Sequence, residues 1–202
     1  MFTVPSNFIG VFKTGDNINH NLRILKLLYA YFDEANDTEK ELLRKPITVT
    51  LVSITEAMLH DFHTRVQRFT TEGVSNLADS VRQYIRGNRL EAFERYIASA
   101  RKHDLFKAEP LLYDHLDELR RLRNRVHIQN SKRDYEPDES VAFSDERKIR
   151  AEKVLEYVCK FLSRNHARPR HFAYVADFQF PWQPHDPRYQ KAPPDVTAVI
   201  VE

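Results

Sequence analysis

Hydrophobic positions recur every three or four residues along most of the first 165 residues, and this spacing predicts helices. Leu22, Leu25, Leu28, Tyr29 and Phe32 set a first helix between about Asn19 and Ala35. Asp37-Thr38 offers a cap for a short acidic–basic turn ending near Lys45. Pro46 is expected to start the next helix, because proline fits a first turn and breaks later ones. That helix should run to about Phe69, with Leu51, Thr55, Met58, Phe62, Val66 and Phe69 as its main stripe. Val52, Leu59 and His63 form a weaker second flank, with Glu56 between the two. A helix apolar on two sides is sandwiched within a bundle or shared with a partner chain.

Further helices are predicted from Ser75 to Arg86, stopped by Gly87-Asn88, and from Leu90 to about His103, with Phe93, Tyr96, Ile97 and Ala100 at helical intervals. Pro110 opens a helix expected to reach His127. A polar stretch from Gln129 to Glu139 has turn composition. Ser144-Asp145 caps a last helix to about Arg164, carrying Ile149, Val154, Tyr157, Val158, Phe161 and Leu162. Beyond it Pro169, Pro181, Pro184, Pro187, Pro193 and Pro194 exclude a long helix, while Phe172 to Phe180 and Val196 to Val201 favour extended structure. The expectation is an all-α, up-and-down bundle of four to six helices over residues 1–165. A Pro- and aromatic-rich tail, residues 166–202, should pack on it as a short strand pair or a strap.

Composition narrows the class without changing this picture. Four glycines in 202 residues starve the chain of the tight turns an all-β fold needs. Hydrophobic residues at 42% and charged residues at 30% are those of a water-soluble globule, and no apolar run nears the ~20 residues that span a bilayer. Met1-Phe2-Thr3-Val4-Pro5 lacks a basic segment followed by an apolar stretch, so no secretory signal is expected. One cysteine, Cys159, allows no internal disulfide and suits a reducing compartment; the expected location is the cytoplasm, away from any membrane. Among Val158, Phe161 and Leu162 it reads as a small core residue. Net charge is only +2, so its distribution matters more than its sum. Arg120, Arg121, Arg123 and Arg125 fall within six residues, and Arg164, Arg168 and Arg170 form a second basic stretch. Such patches suit a phosphate-bearing partner, although charge runs are more often solvated faces.

The run Leu119-Arg-Arg-Leu-Arg-Asn-Arg-Val-His127 carries the candidate chemistry. On a helix, Leu112, Leu116, Leu119, Leu122 and Val126 make one apolar stripe. Arg123 lies roughly 40° from Leu119, His127 about 40° further round, and Arg120 within roughly 20° of His127. Arg121 and Arg125 point largely away. A half-buried guanidinium must find a carboxylate, a phosphate or a partner chain. Glu56, Asp117 or Asp114 could supply a structural ion pair. The same residue types also match RNA cleavage without a metal. That reaction needs a base for the 2′-hydroxyl proton, an acid for the leaving 5′-oxygen and a cation at the phosphoryl group. Histidine serves as acid or base, and arginine offers a fork of donors. One histidine does not fill both roles comfortably, so two motifs meeting in a dimer would.

Here the sequence resembles the HEPN superfamily, bundles of four or five helices whose hallmark is an arginine, often followed by a polar residue, with a histidine four to six residues on. Arg121 and Arg120 precede His127 by five and six intervening residues. Arg123-Asn124 matches the arginine–polar pair but leaves three. Which arginine would be catalytic stays open, with helical geometry favouring Arg123 and Arg120. The likeness covers about residues 20 to 165 and includes the helix around Leu51 to Leu59, where Glu56 would support the motif. It implies a metal-independent endoribonuclease without cofactor, acting on RNA as a homodimer with a composite cleft. His127 would transfer protons, Arg120 and Arg123 would neutralise the phosphate, and Arg121, Asn124 and Glu56 would bind or support. Toxin–antitoxin and phage-defence systems use such enzymes, which implies an antitoxin or other regulatory protein as a further partner. Members without activity act as modules that bind RNA, a nucleotide or a protein.

Two other clusters read as structural. His60 and His63 flank Asp61, but metalloprotease helices place their histidines four apart with a glutamate between, and no further ligands accompany them; both read as surface histidines, with no metal site. In the tail, Phe172, Tyr174, Phe178, Phe180 and Trp182, beside Arg164, Arg168, Arg170 and His171, could stack nucleobases. They read rather as anchors holding the tail to its core.

Overall fold

The computed structural model describes residues 1–68, 74, 76–88, 90–127, 138–168, 175–185 and 189–190. Phe69, Arg170, His171, Phe172, Tyr174, the predicted strand Val196 to Val201 and most of the polar stretch after Gln129 lie outside them. In order, the described elements are β1 (Phe2–Val4), α1 (Phe12–Glu34), α2 (Asp37–Arg68), α3 (Asp79–Gly87), α4 (Phe93–Lys102), α5 (Pro110–Asn124), α6 (Glu139–Ala142), α7 (Asp145–Asn165) and β2 (Phe178–Phe180). The chain is mostly helical, a bundle with one small two-stranded sheet.

Helix α2 is the axis. It packs against α1, α3, α4, α5 and α7, which is why its buried residues, from Ile47 to Val66, surround it instead of forming one stripe. It is also one continuous helix of 32 residues, so Pro46 lies inside it and does not start it. Proline has no N–H for the Leu42 carbonyl, but Leu42 is exposed and water can take that place. Ile47, Thr48 and Leu51, all fully buried, hold the following turn in the core. The cap also lies one residue earlier than the sequence suggests. The Asn36 side chain accepts from the Glu39 N–H at 3.1 Å while the Glu39 carboxylate accepts from the Asn36 N–H at 3.0 Å, a reciprocal capping box.

Helix α1 begins at Phe12, about two turns before Asn19, because the buried carboxylate of Asp61 accepts from the Gly10 and Val11 N–H groups at 2.8 and 2.9 Å. Beside it Arg65, 1% exposed, donates to the carbonyls of Phe8 and His166, each at 2.7 Å. A β-carbon on Gly10 would lie 2.3 Å from Arg65 Cγ, so the N-terminal segment closes over this pair only with glycine there. Burial raises the Asp61 pKa even against those backbone bonds. After α4, Asp104 adopts φ of 45°, a left-handed conformation that aspartate tolerates.

The tail is strapped to the bundle through the N-terminus. β2 pairs antiparallel with β1, Phe2 opposite Phe180 and Val4 opposite Phe178. Phe178 and Phe180 are fully buried, and the Trp182 ring sits 5.1 Å from Phe180 and 5.8 Å from Tyr29. Those aromatics fill core space and present no stacking face. Cys159 is buried and unpaired within α7. No helix among the described residues is long and apolar enough to cross a membrane.

Candidate functional site: the arginine seam of α5

Pro110 sits at the first turn of α5, and Leu112, Leu116, Leu119 and Leu122 bury its inner stripe. The helix ends at Asn124. The N–H groups of Arg125, Val126 and His127 bond back three residues, to Leu122, Arg123 and Asn124, at 3.1, 3.1 and 3.3 Å. This tighter turn takes Val126 and His127 off the helical cylinder. Both are exposed, so Val126 does not join the apolar stripe and His127 does not share a helical edge with Arg120 and Arg123. Arg120 and Arg123 take the half-buried positions expected of them and Arg121 points away, but Arg125, expected to point away, turns in to Glu139 with its side chain 13% exposed, because it too lies past the end of the helix.

Arg123 meets Glu56 of α2, Nη2 to Oε2 at 2.8 Å, with side chains 34% and 22% exposed. Arg120 lies 3.5 Å from Asp117 and 3.8 Å from Glu94, and its Nε is buried without a hydrogen-bond partner. Asp114 serves Arg101 of α4 at 3.1 Å, and Asp117 serves it too, at 2.9 Å. Arg125 donates to Glu139 at 2.9 Å, and Lys45 reaches the same carboxylate. Arg121 is exposed and Asn124 half-buried. The structure therefore brings Arg123, Glu56 and Arg120 to one seam between α2, α4 and α5, with Asn124 beside it. His127 stands in the turn just beyond.

One turn along α2 from Glu56, the seam continues into His60 and His63, which the sequence presents as surface histidines. His60 is exposed, but its ring lies 5.8 Å from the buried ring of Tyr96 on α4. His63 is not a surface histidine at all. It is 1% exposed, its ring 5.0 Å from Tyr96 and its Nδ1 2.7 Å from the Leu59 carbonyl. The carbonyl fixes the proton on Nδ1, and Nε2 is buried without a partner. Burial lowers the His63 pKa to about 4. Burial also raises the Tyr96 pKa, with the Glu56 charge adding to it. The spacing Glu56, His60, His63 was the available signal, since residues four and seven apart share a helix face.

Chemically, the seam offers a half-exposed guanidinium already oriented by a carboxylate, a second arginine held loosely between Asp117 and Glu94, and two accessible imidazoles, His60 and His127. Among the described residues no group of three or more histidine, cysteine, aspartate or glutamate side chains could hold a metal ion. No family model, no curated protein and no solved structure matches this chain.

Proposed function

We propose that the chain is a metal-independent endoribonuclease of the HEPN type, acting on RNA as a homodimer. The observation that supports this reading is the Arg123–Glu56 pair at 2.8 Å, half-exposed and next to Asn124, Arg120 and the turn that carries His127. In the proposed reaction the RNA 2′-oxygen attacks phosphorus and the bond from phosphorus to the 5′-oxygen breaks. A base takes the 2′-hydroxyl proton and an acid returns one to the leaving oxygen. His127 performs one of these transfers, and the partner copy supplies the other. Arg123 and Arg120 hold the phosphoryl oxygens, Arg121 and Asn124 the neighbouring backbone, and Glu56 positions the Arg123 guanidinium.

The test is cleavage of a labelled mixed-sequence RNA in chelator. Wild type should yield 2′,3′-cyclic phosphate and 5′-hydroxyl ends, and His127→Ala should lose about 100-fold or more of the rate. Full activity in His127→Ala, or activity that vanishes in chelator, would overturn the mechanism.

A second reading is a non-catalytic HEPN-like module that binds RNA, a nucleotide or a protein. It is favoured by the acidic partners of Arg120 and Arg123 and by the position of His127 past the helix end. RNA binding without cleavage, surviving His127→Ala and lost on substitution of the arginines, would select it.

A further inference from the structure

Helix α1 is apolar on its outer face as well as its inner one. Ile18, Leu22, Leu25 and Tyr29 point into the core, yet Ile24, Leu27 and Tyr31 are 38%, 63% and 67% exposed. On the helical wheel these three fall within about 60° of one another, on the side away from the core. Leu42 of α2, 72% exposed, extends the patch beside Tyr31. Scattered exposed leucines need no explanation, but a contiguous apolar stripe on a surface helix marks a contact.

The charges along the same face are sorted. Nearest Leu27 on that face, exposed His20 and Arg23 lie on its N-terminal side and exposed Glu34 on its C-terminal side, with Asp16 a further turn beyond His20. A face with one basic and one acidic end complements itself only when a second copy lies antiparallel. With the two-fold axis at Leu27, Ile24 meets Ala30 of the other copy, His20 meets Glu34, and Arg23 meets Tyr31. A depression of about 380 Å³ lies at that place, lined by Tyr31, Ala35, Leu42 and Leu43, with Glu34 and Glu39 also in its wall. It offers an apolar floor for the arginine stem and carboxylates for its guanidinium. A parallel arrangement would place like charges together.

We infer that a second copy of this chain docks antiparallel on the outer face of α1, with Leu27 at the two-fold axis and Arg23 in the partner's acidic-walled depression. α1 packs on α2 and β2, whereas the arginine seam lies where α2 meets α4 and α5. The contact is thus separate from the meeting of motifs in the ribonuclease reading and does not depend on it. A single helix pair with its flanks is at the small end of stable interfaces, so association on the order of micromolar is expected.

Sedimentation or light scattering of the full chain, from about 1 to about 100 µM, tests this. Leu27→Glu should halve the mass of the assembly at high concentration, with unchanged circular dichroism and melting because Leu27 is exposed. Arg23→Glu should weaken association roughly tenfold, and Arg23→Glu combined with Glu34→Arg should restore it. A single-chain mass for the wild type at the highest concentration overturns the proposal and leaves the stripe to a different protein. So does an assembly that Leu27→Glu leaves intact. A combined variant no better than Arg23→Glu overturns the antiparallel register.

Discussion

Two arginines, Arg65 and Arg123, sit on neighbouring helices and do opposite things. Arg65 is sealed. It donates to two backbone carbonyls that belong to the N-terminal segment and to the end of α7, and so ties both to α2. Arg123 is half-exposed and paired with a single carboxylate. A guanidinium among backbone carbonyls has no room to release them for a ligand, while one at a surface seam keeps donors that a phosphate could take. Arginine density in the sequence points to α5, but the most deeply buried of the described arginines is Arg65, in the last turn of α2.

The largest effect should follow from removing the sealed one. Arg65→Met strands the Phe8 and His166 carbonyls and removes the cation beside buried Asp61, at an expected cost of about 3–5 kcal/mol in urea denaturation. Arg123→Met should cost less than about 1 kcal/mol by the same measurement. Equal losses would erase the distinction between the two.

Acid should strike the sealed region next. Burial lowers the pKa of His63, and of His166 beside Arg65, to about 4 in each case. The unfolded chain takes up these protons first, near pH 6.5, so stability is fully present above that pH and falls as pH drops toward 4. The slope is at most about 1.4 kcal/mol per pH unit for each histidine. Asp61, whose pKa is raised by burial, opposes part of the loss. Between about pH 6.5 and pH 5 a net loss of about 2–4 kcal/mol is expected in denaturation melts, and a flat profile would contradict buried neutral imidazoles. Gly10→Ala should be milder, about 1–3 kcal/mol, because its β-carbon forces the Arg65 stem aside without removing a partner.

The parts of this structure legible in the sequence are those that local chemistry decides. Ser144 caps α7 as expected, accepting from the Arg147 N–H, and α7 ends within a residue of Arg164. Pro110 starts α5. What escaped was decided by distant contacts. Pro46 reads as a start signal and is overridden by the buried turn that follows it, Ile47, Thr48 and Leu51. The true start of α1 depends on Asp61, fifty residues away. His63 passes for a surface histidine until α4 covers it with Tyr96. His127 looks helical because the periodicity of α5 runs smoothly into it, yet Leu122 is the last buried residue of the apolar stripe and Val126, the next position in it, is exposed. The pairing of Glu56 with Arg123 was visible only as one acceptor among three, since residue spacing fixes a helix face but not which neighbouring helix it meets.

The smallest expected effect separates the two arginines most sharply. In a double-mutant cycle of Arg123→Ala and Glu56→Gln, without ligand, the coupling should be only about 0.2–1 kcal/mol and shrink in high salt, because both side chains are reached by solvent. The informative quantity is how the same cycle reads in RNA binding. If Arg123 takes a phosphate, Arg123→Ala should weaken binding and reduce the salt slope by about one. Glu56→Gln removes the competing carboxylate and should leave affinity equal or higher, while loosening the geometry that cleavage needs. Opposite signs in binding for two residues that touch each other are hard to obtain from a structural clamp, which loses in both variants. If both variants bind RNA as the wild type does, Arg123 is held to Glu56 for the sake of the bundle, and the seam differs from the Arg65 site in depth alone.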